Sequence, residues 1–144
     1  MTRPINEDEK QSAYRLLENA RAAMRAIEHY DQPAVDRLCR AIAWATYNEE
    51  TAKRLASMSV EESGLGDKEP RRRAKIMGVL RDALRQKSIG VIEDDPEKKI
   101  VKYGKPAGVI ASLIPVTSAY VTPPTVAIYA VKCKDAVIFS PHPA

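Results

Sequence analysis

Two apolar runs, GVIASLIP at 108–115 and AVIF at 136–139, constrain this chain more than any other feature. An unbroken apolar run is the mark of a strand covered on both faces, and such strands belong to parallel sheets. Between the runs, VTSAYVTPP reads as a loop and Thr125–Lys132 as a short helix. Strand, helix and strand within about thirty residues make one βαβ unit, which is parallel and right-handed by default. Open sheets of this kind place ligands at the carboxyl ends of their strands. Those ends are Ile114-Pro115-Val116-Thr117 and the stiff polar turn Ser140-Pro141-His142-Pro143, just short of Ala144.

The first 88 residues are helical in pattern. Asn6 caps a helix with Glu7, Asp8 and Glu9 in its first turn, where the helix dipole favours negative charge. Ala13, Leu16, Leu17, Ala20, Ala23, Met24 and Ile27 form one stripe at helical spacing. Asp31 caps a second helix with Pro33 in its first turn. Its stripe runs from Val35 through Leu38, Ile42 and Ala45 and on past YNEET to Leu55 and Met58, with Gly64 as its left-handed terminator. A third helix spans about Pro70 to Gln86, with Ile76, Val79, Leu80, Ala83 and Leu84 inward. Ile89–Glu93 and Lys99–Tyr103 then read as a hairpin turning at Asp94, Asp95 and Pro96. The fold class is α/β: N-terminal helices (1–88), a strand hairpin (89–105) and a first βαβ unit (106–144).

Composition limits the function classes. The chain has 144 residues, 44% hydrophobic and 29% charged, which suits one soluble domain rather than disorder. It has no apolar stretch long enough for a bilayer and no N-terminal signal pattern, so no membrane is expected and the cytoplasm is the default. Two distant cysteines, Cys39 and Cys133, fit reduced thiols. The net charge of +4 raises the question of nucleic acid. RRRAK at 71–75 carries no interleaved aromatic and reads as a solvated helix face, so no nucleic-acid partner is expected.

Few residues offer chemistry. His142, fixed between prolines, has no other ligand at metal spacing, and His29 reads as a capping or surface residue. Lys132 and Lys134 flank Cys133 and can lower its pKa, yet no base stands beside it; Cys39 reads as core. Neither a G-x-G-x-x-G nor a G-x-x-x-x-G-K motif occurs. These residues build the rim of a crevice and no catalytic set.

KYGKPAGVIASLIPVT, the helix after it, KCKDAVIFSPHP and SVEESGLGDK together resemble the N-terminal portion of the CoA-acylating aldehyde dehydrogenases. The sulfoacetaldehyde dehydrogenase branch and the aldehyde half of bifunctional alcohol/aldehyde dehydrogenases are the most similar. The resemblance implies an incomplete nucleotide-binding domain and a hairpin that serves oligomerisation. It further implies a reaction of a small aldehyde with CoA and NAD or NADP through a cysteine thiolate that lies later in the family's sequence. This chain alone is then expected to be inactive and to bind the cofactor weakly. By resemblance, Ile114, Pro115, Val116 and Thr117 pass the nicotinamide end, while Ser140, Pro141 and His142 lie along the adenosine side. Ser118 stands where the family carries an oxyanion-holding asparagine. The expected partners are a second copy or a complementary C-terminal fragment. The alternative is a non-catalytic split subunit or truncated paralogue serving association.

Overall fold

The computed structural model describes residues 3–66, 68 and 73–143. In chain order they form α1 (Glu7–Ala26), α2 (Gln32–Tyr47), α3 (Glu49–Ser63), α4 (Arg73–Arg85), β1 (Gly90–Asp95), β2 (Ile100–Gly104), β3 (Val109–Ile114), a 3₁₀ turn (Val116–Ser118), α5 (Thr122–Lys132) and β4 (Ala136–Pro141). This is the expected α/β order of helices, hairpin and βαβ unit. β1 and β2 pair antiparallel, with a bulge between Val91 and Glu93. β3 and β4 pair parallel, in register from Val109↔Ala136 to Ile114↔Pro141.

Local chemistry sets most helix ends. Asn6 and Glu9 exchange side chain-to-backbone hydrogen bonds in a full capping box, and Asp31 accepts from the Ala34 amide. Gly64 ends α3 at φ 67, the left-handed conformation that a Cβ makes costly. Pro70 and the two arginines 71–72 of RRRAK lie outside the described residues; Lys75 is exposed.

The single second helix expected from the sequence is two. α2 stops at Tyr47 and α3 begins at Glu49, with Asn48 between them at φ −53, ψ 146. The Asn48 carboxamide serves both ends. Its Nδ2 donates to the carbonyls of Trp44 and Ala45, and its Oδ1 accepts from the Thr51 amide. An amide that satisfies both orphan donors and orphan acceptors stabilises a break that an apolar stripe does not reveal.

The core lies among α2, α4 and α5, where Cys39, Ala43, Ile76, Leu80, Ala83, Val121 and Ile128 are buried together. A polar network joins these helices to the hairpin. Lys132 is 3% exposed and pairs with Asp36; Gln32 donates to Asp36 and accepts from the Ser88 amide; Ser88 Oγ donates to the Lys132 carbonyl. Asp135, also buried, accepts from the Gly108 amide and so ties the start of β3 to the start of β4.

Two burial expectations are corrected. On α1 only Ala20 is buried, whereas Ala13, Leu16 and Ala23 are exposed. α1 packs against β4 and β3, and its less exposed side chains, Leu17, Ala20 and Met24, lie towards its C-terminal half. The β3 run is not covered on both faces, for Leu113 is 80% exposed. Two strands and the helices described leave one side of this sheet without a covering layer.

Candidate functional site

β3 and β4 run parallel and end together, so the segments leaving them converge. Between them lies a cleft of about 240 Å³, lined by Ile114, Pro115, Val116 and Ala119 on one side and by Phe139, Pro141 and His142 on the other. Pro123, from the first turn of α5, and Ser59, Glu62 and Ser63, from the last turns of α3, complete it. The volume is below the roughly 300–1,000 Å³ of a complete small-molecule pocket.

The structure thus gathers Ile114, Pro115, Val116, Pro141 and His142 around one space. Thr117, Ser118 and Ser140 are not part of its lining. Thr117 and Ser118 belong to the 3₁₀ turn, in which the Ser118 amide donates to the Pro115 carbonyl and the Ser118 carbonyl accepts from Val121. Ser140 and Pro141 are corrected from turn to strand: they pair with Leu113 and Ile114 and extend β4 to the sheet end. Parallel ladder hydrogen bonding carries the strand through a sequence that by composition reads as a turn. The α3 residues were not visible as site residues in the sequence. Their only signal was the glycine-terminated helix end, which gives no direction in space until α3 is docked against the turn after β3.

The electrostatics of the cleft are simple. Among the described residues no Lys or Arg lines it, and the one carboxylate there, Glu62, is exposed and has no ion pair or hydrogen bond. The α5 terminus offers few donors. Pro123 and Pro124 carry no N–H, and the Val121 amide is already given to Ser118.

Neither thiol lines the cleft. Cys39 is buried, its Sγ directed at the Ile128 carbonyl, and burial pushes its pKa up to about 11. Cys133, at the C-cap of α5, is raised by burial first and by the Asp135 carboxylate next; this outweighs the lowering by Lys132 and corrects the expectation drawn from its flanking lysines. Among the described residues no group of three metal-ligating side chains is gathered, and no helix is long and apolar enough to cross a membrane.

Comparison with known proteins finds relatives of the chain as a whole. The chain is 46% identical over 130 residues to a sulfoacetaldehyde dehydrogenase of an Acholeplasma species, and 38% identical over 128 residues to the acylating sulfoacetaldehyde dehydrogenase of Bilophila wadsworthia. These alignments cover 88% and 87% of this chain. Among solved structures, an acetylating aldehyde dehydrogenase from Geobacillus thermoglucosidasius superposes over 99% of the chain at a TM-score of 0.81 and 31% identity. The chain is a homologue of the N-terminal part of the acylating aldehyde dehydrogenases. This aldehyde dehydrogenase homologue spans 27% and 28% of the two curated relatives and 32% of the Geobacillus chain. A probable aldehyde dehydrogenase from Listeria monocytogenes gives the same match at a TM-score of 0.82 and 30% identity. No family model matches the homologue.

Proposed function

We propose that this chain supplies the cofactor-side rim of an acylating aldehyde dehydrogenase, whose reaction turns an aldehyde, CoA and NAD(P)⁺ into an acyl-CoA, NAD(P)H and a proton. The observation that carries the reading is the cleft at the carboxyl ends of β3 and β4. Its residues fit part of a dinucleotide. Ile114, Val116, Phe139 and Pro141 offer apolar walls to a planar ring, while Glu62 and His142 offer polar atoms to ribose hydroxyls. When bound, the nicotinamide group would accept hydride. The residues of this chain would hold the ring, exclude water and fix its distance from the reacting aldehyde.

The three units 1–88, 89–105 and 106–144 divide the work in this reading: a helical layer, an association hairpin and the nucleotide-binding βαβ. Ser118, half-buried beside the cleft, is the candidate donor toward an oxyanion. Its hydroxyl would give one hydrogen bond, and losing a carboxamide donor of that kind costs about 10²–10³ in rate. Neither Cys39 nor Cys133 lines the cleft, and burial raises the pKa of both thiols, so neither is the candidate nucleophile in this reading.

The expected outcome is that the purified chain shows no CoA-dependent reduction of NAD⁺ or NADP⁺ by small aldehydes. Turnover that persists in a Cys39→Ser/Cys133→Ser double variant would overturn the assignment of the nucleophile to sequence outside this chain. A second reading, a non-catalytic subunit serving association, is favoured by the exposed apolar side chains of the hairpin, Val91, Ile92, Ile100, Val101 and Tyr103. Co-purification with a cysteine-bearing C-terminal fragment that restores turnover supports the first reading. Stable pairing with an intact relative and no gain in turnover supports the second.

A further inference from the structure

The β1–β2 hairpin stands off the rest of the chain. Its strands are exposed along nearly their whole length, and among the described residues neither packs broadly against a helix or the β3–β4 sheet. We infer that the hairpin is a jointed arm, hinged at the pair Gly90 and Gly104 and locked at one angle by a polar latch centred on Ser88. This goes beyond the reading of the cleft and does not depend on it.

The joint is visible in the backbone. Gly90 and Gly104 pair with each other at the base of the arm. Gly90 sits at φ 66 with open space where a Cβ would stand, and glycine has the widest conformational range of any residue. The exit strand has little to stiffen it: residues 105–107 are exposed, and the chain is held again where the Gly108 amide donates to Asp135. The entry strand, by contrast, is tied down. Half-buried Ser88 makes the hydrogen bonds that join the base of the arm to the helices among the described residues. Its amide donates to Gln32 Oε1 at 2.9 Å, and its hydroxyl donates to the Lys132 carbonyl at 2.6 Å. Gln32 also donates to Asp36, the partner of buried Lys132. One residue is thus bonded to the start of α2 and to the end of α5. Gly104 passes so close over the Ser88 carbonyl that no side chain fits, so the return strand rests on the same residue. An apolar contact would let the arm slide; directional bonds to two helices do not, and a fully satisfied polar network fixes one geometry. At about 3.4 Å per residue the arm reaches about 20 Å, so a swing of about 20° would carry its tip about 7 Å. A locked arm presents its exposed apolar side chains to a partner without a further ordering cost.

Spin labels at Glu97→Cys, in the exposed turn of the arm, and at Arg40→Cys, exposed on α2, turn the angle into a distance. Double electron–electron resonance reads it in a Cys133→Ser background, because Cys39 is fully buried. Labelled chain is diluted into unlabelled chain so that only distances within one molecule are recorded, and circular dichroism checks the fold of each variant. With the latch intact, one narrow distance is expected. Ser88→Ala removes the hydroxyl tie, and Gln32→Ala/Ser88→Ala removes both; each should spread the distance, the double variant by about 7 Å or more. Ser88→Thr keeps the hydroxyl and should stay narrow. Gly90→Asn tolerates a positive φ but bends less readily, and should narrow the spread of Ser88→Ala. A broad distribution with the latch intact, or equally narrow ones in Ser88→Ala and the double variant, overturns the latch. A spread that Gly90→Asn leaves unchanged overturns the hinge. If the double variant loses its helical signal, Ser88→Ala alone decides between these outcomes.

Discussion

Gly104 shows how one missing Cβ can fix the base of a hairpin. A methyl group there would stand 2.1 Å from the Ser88 carbonyl oxygen and 3.1 Å from the Ile89 amide nitrogen. Both are backbone atoms, so the chain must move as a whole to make room. Gly104→Ala is therefore expected to cost about 3 kcal/mol and to fray residues 88–90 from 104 first, which hydrogen exchange of those amides would report. Cys39 gives a second prediction, in pH. Its thiol releases a proton near 9 in the unfolded chain and at about 11 in the folded one. A raised folded pKa means that the stabilisation is complete below pH 9 and is lost as pH climbs toward 11. Linkage sets the loss at about 2–3 kcal/mol. Cys39→Ala should lower stability at pH 7 yet flatten its fall between pH 9 and 11, measured by urea unfolding across that range.

At the scale of elements, the junction of α2 and α3 depends on one side chain. Asn48→Ala removes an N-cap acceptor and two C-terminal donors together, and is expected to cost about 1–2 kcal/mol. Asn48→Asp keeps only the acceptor and should recover part of that loss. Thermal melts of the three chains would rank them, and a wild-type melt in Asn48→Ala would show that packing alone places the break. The join between α2 and α5 is of another kind. Lys132→Met would strand Asp36 and its Gln32 partner in a part-buried site, at a cost of about 3–5 kcal/mol. Adding Asp36→Leu should return most of it, because a buried ion pair is stabilising chiefly against the loss of one member.

For the whole molecule, the open side of the β3–β4 sheet and both faces of the hairpin are decisive. Leu113, Val91, Ile92, Ile100, Val101 and Tyr103 are all exposed. Two paired strands also have two outer edges, and bare edges with apolar side chains invite pairing with another chain. The isolated chain is expected to self-associate, or to be stable only beside a complementary fragment. Light scattering across a dilution series would show mass falling with concentration, and Leu113→Lys should shift the midpoint toward monomer. A cooperative monomer at every concentration would sink the expectation.

The sequence by itself determined which elements exist and in what order, because those depend on neighbours along the chain. The capping box at Asn6, the Asp31 cap, the glycine at 64, the inward stripe Ile76–Leu80–Ala83 and the parallel strand–helix–strand unit all follow from periodicity and local hydrogen bonding. What only the tertiary structure decided depends on groups far apart in sequence. The apolar stripe through YNEET hid the break at Asn48, and the apolar content of β3 hid the exposure of Leu113. Ser140-Pro141 has the composition of a turn, and only the ladder with Leu113 and Ile114 makes it strand. The cleft was half legible: the ends of β3 and β4 were expected to meet, since parallel strands share a carboxyl end. Ser59, Glu62 and Ser63 were not, because helical periodicity says which face of α3 is apolar but not what that helix end will stand beside.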